Sequence, residues 1–307
     1  MRIGETASDR LRGLLRGPGL DLDIRPFVIR LRSPVSGMAE AIARLYPDHA
    51  LAEGAFADFH VAVTPSGFLA RLFPRRIRFV SEGQSSFHPL PMNQAFPAFE
   101  WGLNWCVVSH INTYLLIHSG VLARDDRVVL LPGEPAAGKS TLTAGLMLRG
   151  WRLFSDELAL VEPGTNRLRP MVRPVNLKND SIRIIRQFAA DAVLNAETPD
   201  TSKGVVSHLR PTKASVDLGD RPGQAAWVVF PRFTRGLAAP RITRVSRPQA
   251  FMRLADLSFN YATLGLAGFA TLRAVVQGAD CYDLAFGSLD DGMAGIERIA
   301  GGEATAA

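Results

Sequence analysis

The sequence predicts an α/β fold preceded by a small α+β region, and three observations carry that reading. An apolar run, 128-VVLLP-132, leads into a glycine-rich loop, which opens the helix-like run 141-TLTAGLMLR-149; strand, loop and helix in that order can cradle phosphate groups. Just upstream, two strand-like runs within 118–133 flank Arg124-Asp125-Asp126, a hairpin signal. Earlier still, short alternating runs and one short helix precede a proline-rich connector, 86-SFHPLPMNQAFP-97. The expected organisation is a small α+β N-terminal region over 1–97 and an α/β domain built on the loop over 98–307.

Element by element, residues 1–24 read as a polar helix and a linker. The alternation in 26-PFVIRLR-32 predicts a half-buried strand, and 37–45 a short helix. Strands follow at 57-ADFHVAVT-64 and 76-RIRFVS-81, with Pro and Gly between them. An apolar helix begins near 98, and 101-WGLNWCVVSHINTYLLI-117 reads as its buried continuation. A helix is expected from Lys139 to Arg149, with Leu142, Leu146 and Met147 inward and Gly150 as its stop. Strands are expected at 152–154 and 158–161, a helix at 181–188 and a late core strand at 225-AAWVVFPRF-233. The tail over 247–300 reads as mostly helical, and 301-GGEATAA-307 as frayed.

Composition narrows the function classes. The 307 residues include 35 basic and 29 acidic ones, a net charge of +6. That suits anionic ligands, but no run of five or more basic residues marks a nucleic-acid binder. Cys106 and Cys281 lie in apolar surroundings outside any CxxC pair, so no disulfide framework is expected and a reducing cytoplasm fits. The N-terminus lacks the uninterrupted apolar core of a signal peptide. Residues 101–117, the most membrane-like stretch, are short and carry two Asn, a His, a Ser and a Thr, so no membrane partner is expected. No Cys/His metal-ligand spacing, G-x-S-x-G element or internal repeat is present.

Gly133, Glu134, Pro135, Ala136, Ala137, Gly138, Lys139 and Ser140 fit G-x-x-x-x-G-K-[ST], with Thr141 next. Backbone N–H groups of such a loop surround phosphate oxygens. The lysine reaches the β- and γ-phosphates, and the serine hydroxyl ligates Mg²⁺. Sixteen residues beyond Ser140 stand Asp156 and Glu157. Carboxylates at a strand end of an α/β sheet can hold Mg²⁺ or take the proton of an attacking hydroxyl; on a strand the two would face opposite ways. A solvated acidic turn is the plainer alternative. The apolar run ending in Asp that marks ABC-type and AAA-type ATPases is missing downstream.

The pieces 118-HSGVL-122, 133-GEPAAGKST-141, 149-RGWRLFSDE-157 and 173-RPVNLKN-179 resemble HPr kinase/phosphorylase over about 115–180. More closely, and over most of the chain, the sequence resembles the bacterial family called HprK-related kinase A, as in 100-EWGLNWC-106, 201-TSKGVVSHLRP-211 and 228-VVFPRF-233. The resemblance implies a P-loop kinase domain of HPr kinase type that uses ATP and Mg²⁺. It makes His118 a histidine near the phosphates and Asp156 the general base, with Ser140, Asp156 and Glu157 as metal ligands. Three departures stand out. Glu157 replaces an Asp, Thr141 replaces an acidic residue, and RPVNLKN occupies the place of the family's Glu-x-x-Gly signature. Neither HPr as acceptor nor a phosphorylase reaction is therefore implied.

Some positions keep two readings. His118 either caps and packs or belongs to the site. Arg173, Lys178 and Asn179 either clamp a phosphate or acceptor or lie on a loop surface. Lys203, His208 and Arg210 form a second polar cluster of either kind, and Trp101 and Trp105 read as core. The function expected is phosphoryl transfer from ATP to a hydroxyl, a serine of a protein or peptide. The alternatives are a small-molecule kinase and a nucleotide-gated partner-binding protein. HPr kinases are hexameric, and a homo-oligomer is left open for this chain.

Overall fold

Apolar alternation builds the N-terminal sheet. In the computed structural model, which describes residues 1–66, 76–85 and 87–303, the chain opens with α1 (Ser8–Arg16), β1 (Leu20–Asp23) and β2 (Val28–Arg32). Helix α2 (Met38–Leu45) crosses over to β3 (Phe59–Ser66), which lies parallel to β2; β4 (Arg76–Ser81) returns antiparallel. The two-residue strands β5 (Gln84–Ser85) and β6 (Leu90–Pro91) close the edge. Part of the expected linker is thus the strand β1. Its LDLD pattern conceals the fact because Asp21 is buried, where it holds Arg30 through two bonds of 2.7 and 2.9 Å. Most of the Pro/Gly stretch between β3 and β4, Ser86 and the last four residues of the expected frayed tail lie outside the described residues.

Helix α3 (Ala95–His110) packs on this sheet and runs through position 97/98. Phe99 and Leu103 join Phe79, Val61 and Ile29 in one buried cluster. A Cβ at Gly102 would stand 2.2 Å from the Phe79 ring, so only glycine permits so close an approach. The expected helix over 101–117 ends early, because Ile111 is extended and Leu115-Leu116-Ile117 begin β7 (Leu115–Arg124). A short apolar run fits either element, and hydrogen-bonded pairing with neighbouring strands decides for β.

β7 and β8 (Arg127–Pro132) form the expected hairpin around Asp125-Asp126. Helix α4 (Lys139–Leu148) follows the glycine loop and buries Leu142, Leu146 and Met147. β9 (Arg152–Ser155) and β10 (Leu158–Val161) both pair antiparallel with β7, in line with each other. Beyond β11 (Arg167–Arg169) come β12 (Val175–Lys178), α5 (Asp180–Phe188), β13 (Thr198–Thr201) and β14 (Gly204–Leu209), whose strands form a separate three-stranded sheet. After α6 (Lys213–Asp217), β15 (Gly223–Phe233) runs parallel to β8. The tail supplies β16 (Arg241–Arg244), α7 (Arg247–Asp256), α8 (Tyr261–Leu264), α9 (Leu266–Gly278), β17 (Asp280–Phe286) and α10 (Leu289–Ala300). The tail over 247–300 is mostly helical as expected, with one strand, β17, which runs parallel to β15.

The main sheet is covered on both faces, as parallel strands require. Val129 and Leu131 of β8 join Leu142 and Met147 of α4 and Ile296 of α10. Val128 and Leu130, their alternates, join Leu254 of α7 and Leu272 and Val275 of α9. The fold is mixed α/β, with three sheets among the described residues. Among the described residues, no helix is long and apolar enough to cross a membrane.

Candidate active site

The parallel strands β8, β15 and β17 end together, and the glycine loop rests on their C-terminal ends. Gly138 has φ 90°, and a Cβ there would stand 3.0 Å from the Phe286 ring and 3.3 Å from Phe233 Cβ. Ala136 also takes a left-handed φ, of 69°. The Phe233 N–H donates to Ala137 O at 3.1 Å, tying the loop to the end of β15. Glu134, Pro135 and Ala136 form the exposed crest. Lys139 is buried, and its Nζ donates to Gly133 O at 2.6 Å and Glu134 O at 2.9 Å. Desolvation lowers the pKa of this ammonium, while the charges of Glu157 and Asp156 pull it upward. Ser140 and Thr141 stand in the first turn of α4, half-buried.

Asp156 and Glu157 occupy the break between β9 and β10, not a strand. The register places them near the loop: Ser155 and Leu130 both face Val121 and Pro132 faces Ser119, so β9 ends two residues short of the end of β8, with β7 between them. The Ser119 N–H donates to Glu157 O at 3.1 Å and bridges the break.

The two carboxylates meet opposite surroundings. Asp156 is buried; its Oδ2 accepts from Asn176 N at 3.0 Å, and its Oδ1 has no hydrogen-bond partner. Desolvation, then repulsion from Glu157, raises its pKa to about 7, against weaker help from the Asn176 N–H, Lys178 and the Ser140 hydroxyl. Burial would raise Glu157 too. There the hydrogen bond with His118 and the charges of Lys178 and Lys203 prevail and hold it well below the usual carboxylate range. His118 Nε2 lies 3.4 Å from Glu157 Oε2, and Lys178 Nζ lies 3.8 Å from Oε1. Adjacent acids whose pKa values are pushed apart are the pattern of divided acid–base roles.

His118 is therefore within β7 rather than at a helix end, and its N–H donates to Leu257 O at 2.9 Å. Arg173 is buried, not on a loop surface. Its Nη2 donates to Asn104 Oδ1 at 2.8 Å and lies 3.4 Å from Glu100 Oε2. Asn179 ties the β12 end to the β13–β14 turn, accepting from Val205 N at 3.0 Å and donating to Lys203 O at 3.3 Å. The cluster of Lys203, His208 and Arg210 divides. Lys203 stands over the Trp101 ring at 5.3 Å on the Glu157 side, whereas His208 is wholly buried opposite Asn176. Arg210 follows β14, and its N–H donates to Val193 O. Trp105 packs edge-on against Phe87 and His110, while Trp101 borders the acidic break, contrary to its reading as core.

Sequence reasoning assigned no role to Glu100 and Asn104 of α3 or to Asn176 of β12, and it placed Trp101 in the core. These residues, with Ser155, Asp156, Glu157, Arg173 and Pro174, line a narrow cleft beside the break, of about 10 Å³, room for about one water. The signal was a carboxylate alone in the apolar helix 95-AFPAFEWGLNW-105, since unpaired acids are almost never buried. Tyr46 Oη donates to Glu100 Oε1 at 2.5 Å and Arg173 lies on its other side. A larger cavity, about 640 Å³, opens beside Arg127, Arg167, Arg221 and Asp280. It lies where β8, β15 and β17 begin, the end away from the loop, and ligands of open α/β sheets bind beyond the carboxyl ends.

Among the described residues, no group of three or more His, Cys, Asp or Glu stands ready to hold a metal. Mg²⁺ needs less of the protein, because one or two carboxylates suffice when phosphates supply the rest. The unpartnered Asp156 Oδ1, with the Ser140 hydroxyl acting on the same carboxyl, fits that demand.

The chain is similar to the solved structure of the Hpr(Ser) kinase/phosphatase from Coxiella burnetii. The likeness has 14% identity and a TM-score of 0.28, and covers 61% of this chain and 98% of that one. No protein-family model matches the chain. No curated protein matches it either.

Proposed function

We propose that the protein is an ATP-dependent kinase of the HPr kinase type that transfers the γ-phosphoryl group to a hydroxyl. The observation that carries this reading is the placement of a buried, partly unpartnered carboxyl, Asp156, one strand away from a glycine loop with a buried lysine. In the reaction, the loop N–H groups and the α4 N-terminus hold the phosphates, and Lys139 exchanges its two carbonyl partners for phosphate oxygens. The acceptor oxygen attacks the γ-phosphorus, the bond to the β,γ-bridging oxygen breaks and ADP leaves. The hydroxyl proton passes to Asp156 Oδ1, for which a raised pKa suits the role of base near neutrality. Glu157 stays ionised and keeps His118 and Lys178 in place. Bound Mg²⁺, which Ser140 with Asp156 or Glu157 would hold, supplies positive charge to the phosphates.

A serine of a protein or peptide is the acceptor we favour. A small-molecule acceptor is the second reading, supported by the narrowness of the cleft at Asp156. The test follows the γ-phosphate of labelled ATP, with Mg²⁺ and fractionated host extract. Label is expected on an acceptor with the wild type and not with Asp156→Asn. Full transfer by the variant would remove Asp156 as base, and label found only as free phosphate would favour a nucleotide-gated partner-binding protein.

A further inference from the structure

Two lysines crowd the open side of the acidic break. Lys178 ends β12, where it pairs with Val206 of β14, and Lys203 stands in the turn between β13 and β14. Val175 and Leu177 of β12 join Leu142 and Leu146 of α4 in one buried cluster. Strand alternation turns Lys178 to the other face, where Glu157 Oε1 lies 3.8 Å from its Nζ. The Lys178 side chain is 33% exposed, and Lys203 is exposed with its Nζ over the Trp101 ring, so both reach solvent. Positive charge exceeds negative charge here. Among the described residues, Glu157 is the one carboxylate within 4 Å of Lys178, and Lys203 has none that close. Desolvation, then the charge of Lys178, lowers the pKa of Lys203, and Glu157 opposes them more weakly. The charge of Lys178 acts against Lys139 as well. Three ammonium groups thus share Glu157, while Asp156, with its pKa at about 7, adds only part of a charge. Like charges held this near repel one another until an anion joins them.

The backbone enforces the crowding. Asn179 has a left-handed φ of 52° with ψ −124°, which a residue other than glycine adopts only where its surroundings hold it there. Its Oδ1 accepts from Val205 N at 3.0 Å, and its Nδ2 donates to Lys203 O at 3.3 Å. Gly204, at φ 83°, leaves the room for this clamp: a Cβ there would stand 2.3 Å from Asn179 Oδ1. The strained residue follows Lys178 directly and ties down Lys203.

We propose that Lys178 and Lys203 bind the phosphoryl group in transfer, and that Asn179 is the positioning residue that holds the two ammonium groups together. The proposal rests on the kinase reading and assigns the residues that meet the group leaving the nucleotide. A terminal phosphate carries up to about two negative charges on its free oxygens, and lysines meet it as point charges. Those oxygens stay negative while the bond to the β,γ-bridging oxygen breaks and the bond to the acceptor oxygen forms. A cation pair fixed in advance beside them stabilises that charge without rearrangement. Glu157, held ionised, favours the charged form of Lys203 and lies beside Lys178.

Calorimetric titration of the full chain separates the phosphate on the nucleotide from the phosphate that has left it. One arm compares the magnesium complex of the non-hydrolysable analogue AMP-PNP with MgADP. The other titrates inorganic phosphate into the MgADP complex, with chloride of equal ionic strength as the blank. Lys203→Met is expected to weaken AMP-PNP or phosphate at least about tenfold and MgADP less than about twofold, with the melting temperature nearly unchanged. Loss of AMP-PNP affinity places the lysines on the γ-phosphate; loss of phosphate affinity alone places them on the transferred group. Lys178→Met is expected to act in the same arm. Asn179→Gly, which accepts the left-handed φ and removes the clamp, is expected to weaken the same ligand less than Lys203→Met does and to spare MgADP; a clamp serving the fold alone would weaken both ligands alike. If Lys178→Met and Lys203→Met both keep AMP-PNP and phosphate within about twofold of the wild type, the lysines serve only Glu157 and the proposal falls. Failure of the wild type to bind MgADP would strike instead at the kinase reading, with phosphate titrated into the nucleotide-free chain still reporting on the lysines.

Discussion

The glycine loop and the acidic break border one space but are finished to different degrees. The loop satisfies itself: Lys139 donates to Gly133 O and Glu134 O, and its strained turn positions are contained in nine consecutive residues. The break does not. Asp156 Oδ1, Arg173 Nη1 and Asn176 Oδ1 stay unmet, and the walls come from α3, the β9–β10 junction and β12. A preformed loop depends on local geometry, whereas the cleft depends on α3 packing correctly against the β9–β10 junction and β12. Damage to the loop should therefore abolish nucleotide use and spare the fold; damage to the cleft wall should strike acceptor use and stability together.

The largest effect is expected at the loop. Lys139→Met should lower phosphoryl transfer by about a thousandfold, the scale of losing a preorganised charge at a transition state. Its melting temperature should hold, since the lysine is buried at a desolvation cost. A melting temperature that collapsed with activity would show that the loop is not independent of the fold. At the wall, Glu100→Ala leaves the Arg173 guanidinium buried beside an emptied site, and removal of one partner of a buried pair costs about 3–5 kcal/mol. Urea unfolding checks this, and a loss below about 1 kcal/mol, the range of exposed pairs, would contradict the burial described.

A smaller effect is expected in acid. The ring of His208 is buried without a hydrogen-bond partner, and desolvation holds its pKa at about 3; burial holds that of His49 at about 4. Both values lie below the ordinary 6.5, so each ring is neutral in the fold and takes up its proton more readily when unfolded. Stability is then complete above pH 6.5 and is lost as pH falls through the window down to 3–4. At pH 5 each histidine should cost about 2 kcal/mol. His208→Gln should flatten part of that slope in unfolding measured from pH 7 to 5. The smallest effect on stability is expected from Lys203→Met, which removes an exposed ring contact worth about 0.5–1 kcal/mol and one of the charges that favour ionised Glu157.

The same contrast explains what could be read from the sequence. The loop was legible because its chemistry is contiguous, and 118–133 and 139–149 gave strand, hairpin and helix in their places. Asp156 and Glu157 were legible as a pair, but their divergence was not. It arises from Asn176 and Lys178 on β12 and from His118 on β7, which pairing brings to the break. Arg173 lies 69 and 73 residues beyond Asn104 and Glu100 along the chain, and no local pattern joins it to that helix. The strand β1 and the first three residues of β7 were hidden as well. β1 carries an aspartate that only its Arg30 partner makes buriable, and 115-LLI-117 continues an apolar helix without a break in composition.

The central claim is that the loop holds the nucleotide while Asp156 performs the chemistry. The most direct measurement is a single-turnover quench with equimolar protein and γ-labelled ATP, with Mg²⁺ and a saturating hydroxyl acceptor, in wild type and Asp156→Asn. Both should retain MgATP to similar extents, and only the wild type should place label on the hydroxyl as an acid-stable phosphoester, the variant being slower by about 10²–10⁴-fold. Equal transfer rates, or a wild type that retains no MgATP, would contradict it.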